Sequence, residues 1–187
     1  VSRSALAILA VVAVFAYSVD RVSKILVVDN LPLGEPVDVL GQLLQFRYVE
    51  NPGAAFSLGS GSTWVFAIIA ALVAIFIVFF ARRIRSTAWA VLFGMLLGGN
   101  LGNLTDRLTR PPGFGVGHVV DFLQVYGFPA IFNVADVAIV SSMGLFILLT
   151  IRGVGLDGKR TPKEGKPLTG ASQDRPAADS ATPTDQG

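Results

Sequence analysis

The sequence predicts an α-helical membrane protein: four transmembrane helices with a small outward-facing β-rich or loop element after the first. Three observations carry this. Of the 187 residues, 52% are hydrophobic and only 15% charged, where soluble domains carry about 25% charged residues. Four segments are apolar enough to cross a bilayer, roughly Ser4–Val28, Trp64–Ala81, Ala88–Leu104 and Val134–Ile151. Basic residues gather on alternate sides of these segments.

The first apolar stretch runs into Asp20-Arg21 and not into a small-residue cleavage site, so it reads as a permanent span. The loop after it, about residues 29–63, sets Arg47 against Asp29, Glu35, Asp38 and Glu50. Within that loop LLQFRYVENPGAAFSLG begins with β-prone residues and turns at Asn51-Pro52-Gly53, which predicts a short strand or hairpin on the outer membrane surface. The second span, WVFAIIAALVAIFIVFFA, is the plainest, and Arg82, Arg83 and Arg85 follow it. Gly94, Gly98 and Gly102 form a stripe on the third span that permits close helix contact. After the fourth span come Arg152, Lys159, Arg160, Lys163 and Lys166. Both termini are therefore expected in the cytoplasm, with the loops after spans one and three outside. Residues 1–152 form the membrane domain. Residues 153–187, rich in Gly, Pro, Ser, Thr, Asp and Lys, are predicted to be a disordered cytoplasmic tail.

Polar residues of separate segments converge on one depth, counted at ~1.5 Å per residue. Asp20 lies near the outer end of span one. Asn103, Asp106 and Arg107 lie at the outer end of span three. Asp121 sits in the loop beyond it, and Asn133 and Asp136 open span four. Asp20 and Lys24 are four apart, so they can pair on one face; Gly99, Asn103 and Arg107 share another. Charges at membrane depth are costly and usually have a use.

Several of these residues have an ordinary structural reading. Asp20 with Lys24 reads equally as an ion pair that holds the fold. The glycine stripe reads as packing. Asp106 has Arg107 beside it, which would keep it ionised. His118 reads as an interfacial loop residue. Asp121 and Asp136 differ, because neither has a basic neighbour at helical spacing. VVDFL and NVADVA surround them with apolar residues, which favours the neutral acid. Brought together, two such carboxylates can share one proton and divide the roles of acid and base. There is no cysteine and only one histidine, which excludes a thiol nucleophile, a disulfide and a histidine-rich metal site. A proton-coupled transporter and a non-catalytic lipid-binding or assembly protein remain as other classes. The confinement of polar groups to one side of the midplane counts against transport. A divalent-cation site would lack oxygen ligands among these apolar neighbours.

In order, the motifs are DRVSK (Asp20 to Lys24), ENPGAAF (Glu50 to Phe56), GGNLGNLTDR (Gly98 to Arg107), HVVDF (His118 to Phe122) and FNVAD (Phe132 to Asp136). The set resembles the lipoprotein signal peptidases, also called signal peptidase II, from about Ala5 to Ile151. Arg21 stands where family members commonly have glutamine. The resemblance implies a membrane aspartic endopeptidase of the bacterial cytoplasmic membrane. It would cut prolipoproteins on the N-terminal side of a diacylglyceryl-modified cysteine. The implied catalytic dyad is Asp121 and Asp136, with Asp106 as a rival. Asp20, Lys24, Asn51, Gly53, Asn103, Asp106, Arg107 and Asn133 are the implied substrate-binding or supporting residues. The implied partners are the prolipoprotein, membrane lipids and inhibitory cyclic peptides of the globomycin type. No metal, cofactor or nucleic acid is called for.

Overall fold

The computed structural model describes residues 2–53 and 62–159. Four long helices alternate in direction: α1 (Arg3–Asn30), α2 (Thr63–Phe80), α3 (Thr87–Thr109) and α4 (Val134–Ile151). A short 3-10 turn, Ala81–Arg83, ends α2. Four strands, β1 (Pro36–Asp38), β2 (Leu44–Asn51), β3 (Val119–Val125) and β4 (Ile131–Phe132), pair antiparallel in the order β1-β2-β3-β4.

Three helical segments are long and apolar enough to span a membrane: α1, α2 with its 3-10 turn, and α4. Their outer faces stay apolar and uncovered, as at Val11, Phe15, Phe76 and Phe79. Such faces suit lipid, not water. Helix α3 has 23 residues, or ~34 Å at the usual rise, enough to cross. It is more polar because it is the central helix, packed against α1, α2 and α4. Its glycines make that possible. A Cβ on Gly94 would stand 2.8 Å from the Leu9 carbonyl oxygen, and one on Gly98 would stand 2.8 Å from Ala16 Cβ. On the other side of the helix, Gly99 faces the Ala135 backbone and Ile139 of α4. The expected glycine stripe therefore sets the α1–α3 distance. Gly98→Leu should wedge the two helices apart and cost ~1–3 kcal/mol, read as a lower melting temperature of the detergent-purified protein.

The sheet spreads across the end of the bundle where α1 and α3 finish and α2 and α4 begin. The sequence points to β-structure only in the first loop. The structure adds β3 and β4 from the loop between α3 and α4, so Asp121 lies on an inner strand and not in an irregular loop. Its neighbours Val120 and Phe122 are buried with Val27 and Tyr48 in a small core between sheet and helices. Period-two alternation then turns Val119 and Asp121 to the opposite face. β2 carries one extra residue between Phe46 and Val49 relative to β3. Such a bulge re-aims the strand, and beyond it Val49 to Asn51 pair with Asp121 to Val119.

At the opposite end, Gly153 to Lys159 fold back beneath the helices. The Leu156 carbonyl accepts from the amides of Arg85 and Ser86, at 2.9 and 3.0 Å, and Trp89 Nε1 donates to the Val154 carbonyl at 3.0 Å. Most of the tail for which the sequence predicts disorder, residues 160–187, lies outside the described residues, as do residues 54–61, which include the last three of the ENPGAAF motif.

Candidate active site

The site begins with the start of α4. Asn133 is the N-cap: its side-chain oxygen accepts from the Asp136 amide at 3.0 Å, and the Asp136 carboxylate accepts from the Asn133 amide at 3.0 Å. This reciprocal pair satisfies two backbone donors at the helix end and fixes the Asp136 rotamer. Asp20 of α1 accepts a third, the Ala135 amide, at 2.9 Å. Capping alone would explain an acid at Asp136. It does not explain Asp121.

Asp121 is 3% exposed. Asn133 Nδ2 donates to one of its carboxylate oxygens at 2.7 Å and Asn51 Nδ2 to the other at 2.8 Å. One asparagine thus holds both aspartates, one through its side-chain nitrogen and the other through the cap. Burial, then the negative charge of Asp136, pushes the Asp121 carboxyl up to about 7, against the smaller opposing effects of the two amides and Lys24. Asn51 is itself fixed, since its side-chain oxygen accepts from the Gly53 amide at 3.0 Å. Asn103 Nδ2 completes the set by donating to Asp136 at 2.9 Å.

Both carboxylates open onto a cavity of about 580 Å³. Asn51, Gly53, Asn103 and Arg107 make its polar part, and Phe66, Phe128, Phe132 and Val140 are among its apolar walls. Arg107 Nη2 donates to the Gly53 carbonyl at 2.6 Å, and its guanidinium lies 5.3 Å from the Phe66 ring centroid. Its other terminal nitrogen, Nη1, is buried without a hydrogen-bond partner among the described residues.

Asp106 sits elsewhere. It is fully buried and bound by Lys24 at 2.8 Å, Arg110 at 2.7 Å and Arg21, and it accepts from the Val120 amide at 3.4 Å. The sequence pairs it with Arg107, and the structure corrects this. Adjacent helical residues point about 100° apart, so Arg107 turns to the cavity while Asp106 turns to α1. Asp106 is absent from the cavity walls. Neither Arg21 nor Arg110 is among the partners expected for it from the sequence. The four-residue spacing of Asp106 and Arg110 was a legible signal, whereas Arg21 lies on another helix. Asp20 and Lys24 pair at 2.9 Å as expected. His118 lies at the strand edge, 3.7 Å from Glu50.

Residues 12–152 match the family model described as signal peptidase (SPase) II. A lipoprotein signal peptidase of Leifsonia xyli subsp. xyli is 63% identical over 180 residues, covering 95% of this chain and 83% of the relative. One from Streptomyces coelicolor is 47% identical, covering 81% of this chain and 74% of the relative. A solved bacterial membrane enzyme superposes with a TM-score of 0.70 at 29% identity, covering 83% of this chain and 93% of the other. A match spanning all four helices and the strands between them, with relatives this similar, makes the chain a member of the signal peptidase II family, a bacterial membrane peptidase.

Proposed function

We propose that the protein is a prolipoprotein signal peptidase. It hydrolyses the peptide bond on the N-terminal side of a diacylglyceryl-modified cysteine, with Asp121 and Asp136 as an aspartic dyad. The observation that carries this is the shared grip of Asn133 on two carboxylates from separate elements, both opening onto one cavity. Its burial makes Asp121 the holder of the shared proton near neutrality. Asp136 stands at the N-terminal end of α4, where the helix dipole favours negative charge, and is the base.

A water between them loses a proton to Asp136 as its oxygen bonds to the scissile carbonyl carbon, and Asp121 gives its proton to the carbonyl oxygen. The tetrahedral adduct then collapses. The carbon–nitrogen bond breaks, the leaving amine takes the proton from Asp136, and a hydroxyl proton returns to Asp121. The apolar walls from Phe66 to Val140 suit acyl chains and a signal helix. Arg107, with a buried unpaired nitrogen at the cavity, suits a lipid phosphate or ester oxygen. Globomycin-type cyclic peptides would fill the same cavity. The basic residues at the opposite end favour cytoplasmic termini, which puts the cavity toward the outer face, where a lipid-anchored scissile bond is held.

The test is cleavage of a diacylglyceryl-modified prolipoprotein by the purified protein, with an unmodified precursor as control. The modified precursor should be cut and the unmodified one should not. With Asp121 protonated below about 7 and ionised above it, kcat/KM should hold on the acid side of neutrality and fall about tenfold per unit well above it. A kcat/KM that keeps rising to pH 9 would contradict the assignment of Asp121 as the acid.

A further inference from the structure

The buried ammonium of Lys24 touches neither aspartate of the proposed dyad. Its three donors go to three acceptors: Asp20 Oδ2 at 2.9 Å, Asp106 Oδ2 at 2.8 Å and Asn103 Oδ1 at 2.8 Å. The third contact is the informative one. Lysine only donates hydrogen bonds, so the Asn103 side chain must turn its oxygen toward Lys24. Its nitrogen is thereby turned the other way, onto Asp136 at 2.9 Å. The same oxygen also accepts from Asn133 Nδ2 at 3.1 Å, and that nitrogen in turn donates to Asp121 at 2.7 Å. An ammonium on α1 therefore sets the sense of the Asn103 amide, while the α4 cap sets that of Asn133.

Packing of α1 against α3 would not by itself require this arrangement. Asp20 and Asp106 already give Lys24 two anionic partners, so a third contact to a neutral amide is not needed to neutralise its charge. An asparagine free to flip would present its oxygen to Asp136, lone pair against lone pair. The other donor to Asn103 Oδ1 among the described residues is Asn133 Nδ2, held by the α4 cap; it is neutral and stands at 3.1 Å, against 2.8 Å for the charged Lys24.

We propose that Lys24 is a positioning residue for hydrolysis: by holding the Asn103 amide in one orientation it keeps a donor on Asp136. This rests on the dyad reading and deepens it. The charged and titratable groups around Asp121 are Lys24 with Asp20 from α1, Asp106 and Arg107 from α3, Asp136 from α4, and Glu50 with His118 at the strand edge. Of these, Lys24 acts to lower the Asp121 carboxyl and Asp136 acts to raise it.

The test compares Lys24→Met and the double variant Lys24→Met/Asp20→Asn, both scored per folded molecule on the diacylglyceryl-modified precursor. The double variant removes one charge of each sign, so it spares the cluster an unpaired acid and is expected to fold even if the single variant does not. The expected result is a kcat lower by roughly 10²-fold with KM nearly unchanged. In Lys24→Met the alkaline limb of kcat/KM should also move up, because Asp121 loses a nearby cation. A purely structural lysine would lower the folded fraction and leave kcat per folded molecule near that of wild type. Folded variants within about threefold of wild-type kcat would overturn the proposal while leaving the dyad intact. Failure of both variants to fold would also overturn it and make Lys24 a fold-holding residue. The dyad itself stands or falls separately, on whether Asp121→Asn and Asp136→Asn still cut.

Discussion

Asp106→Ala is expected to cost the protein most of its folded population. Its carboxylate is fully buried and gathers Lys24, Arg21 and Arg110, from α1 and α3, and the Val120 amide of β3. Alanine leaves a buried ammonium with one anionic partner where it had two and releases both guanidinium groups. Breaking a buried charge network in this way costs ~3–5 kcal/mol, a large part of the ~5–15 kcal/mol that holds an ordinary domain together. Thermal unfolding of the purified protein in detergent should show a large drop in midpoint or no folded material. Asp106→Asn keeps one acceptor oxygen in place and should be milder. An Asp106→Ala protein as stable as wild type would mean that the cluster contributes nothing net to the fold.

Asp121→Asn and Asp136→Asn should show the opposite pattern, folded and inactive. Asparagine at 136 keeps an oxygen that can accept from the Asn133 amide, so the cap of α4 survives in part. Asparagine at 121 keeps one acceptor for Asn51 or Asn133. Neither can take up or release the proton that hydrolysis moves. The expected loss in kcat is about 10³-fold or more for each. The double variant should be hardly worse than either single one, because the two act as a unit. Losses that multiply would indicate independent roles and no shared proton.

The parts of the fold that follow from local chemistry were legible in the sequence. Apolar length marked the helices, and the glycine stripe at Gly94, Gly98 and Gly102 marked a close helix contact, whose partner, α1, only the fold supplies. FNVAD showed a helix start, since Asn133 and Asp136 have cap spacing. The sheet was only half legible. LQFRYVEN announces β2 by composition, but β4 is two residues long, too short for any periodicity. VVDFLQV also alternates poorly, because the start of β3 is buried on both faces.

The same division holds in the site. Its membership was legible because the residues fall at one depth. Its wiring was not, because wiring depends on side chains from different helices. Asp106 shows this: the sequence offers the adjacent Arg107, while the fold supplies Arg21, eighty-five positions away. The link from Lys24 through Asn103 to Asp136 likewise crosses three helices, and no spacing within one helix could reveal it.

The most direct test of the central claim sets Asp121→Asn against Asp106→Asn. Both proteins are purified, confirmed as folded, and incubated with a diacylglyceryl-modified prolipoprotein beside the wild type. Wild type should release the signal peptide, Asp106→Asn should retain measurable cleavage, and Asp121→Asn should release none above background. Cleavage by Asp121→Asn together with a folded, inactive Asp106→Asn would contradict the dyad and move the chemistry to the α1–α3 charge cluster.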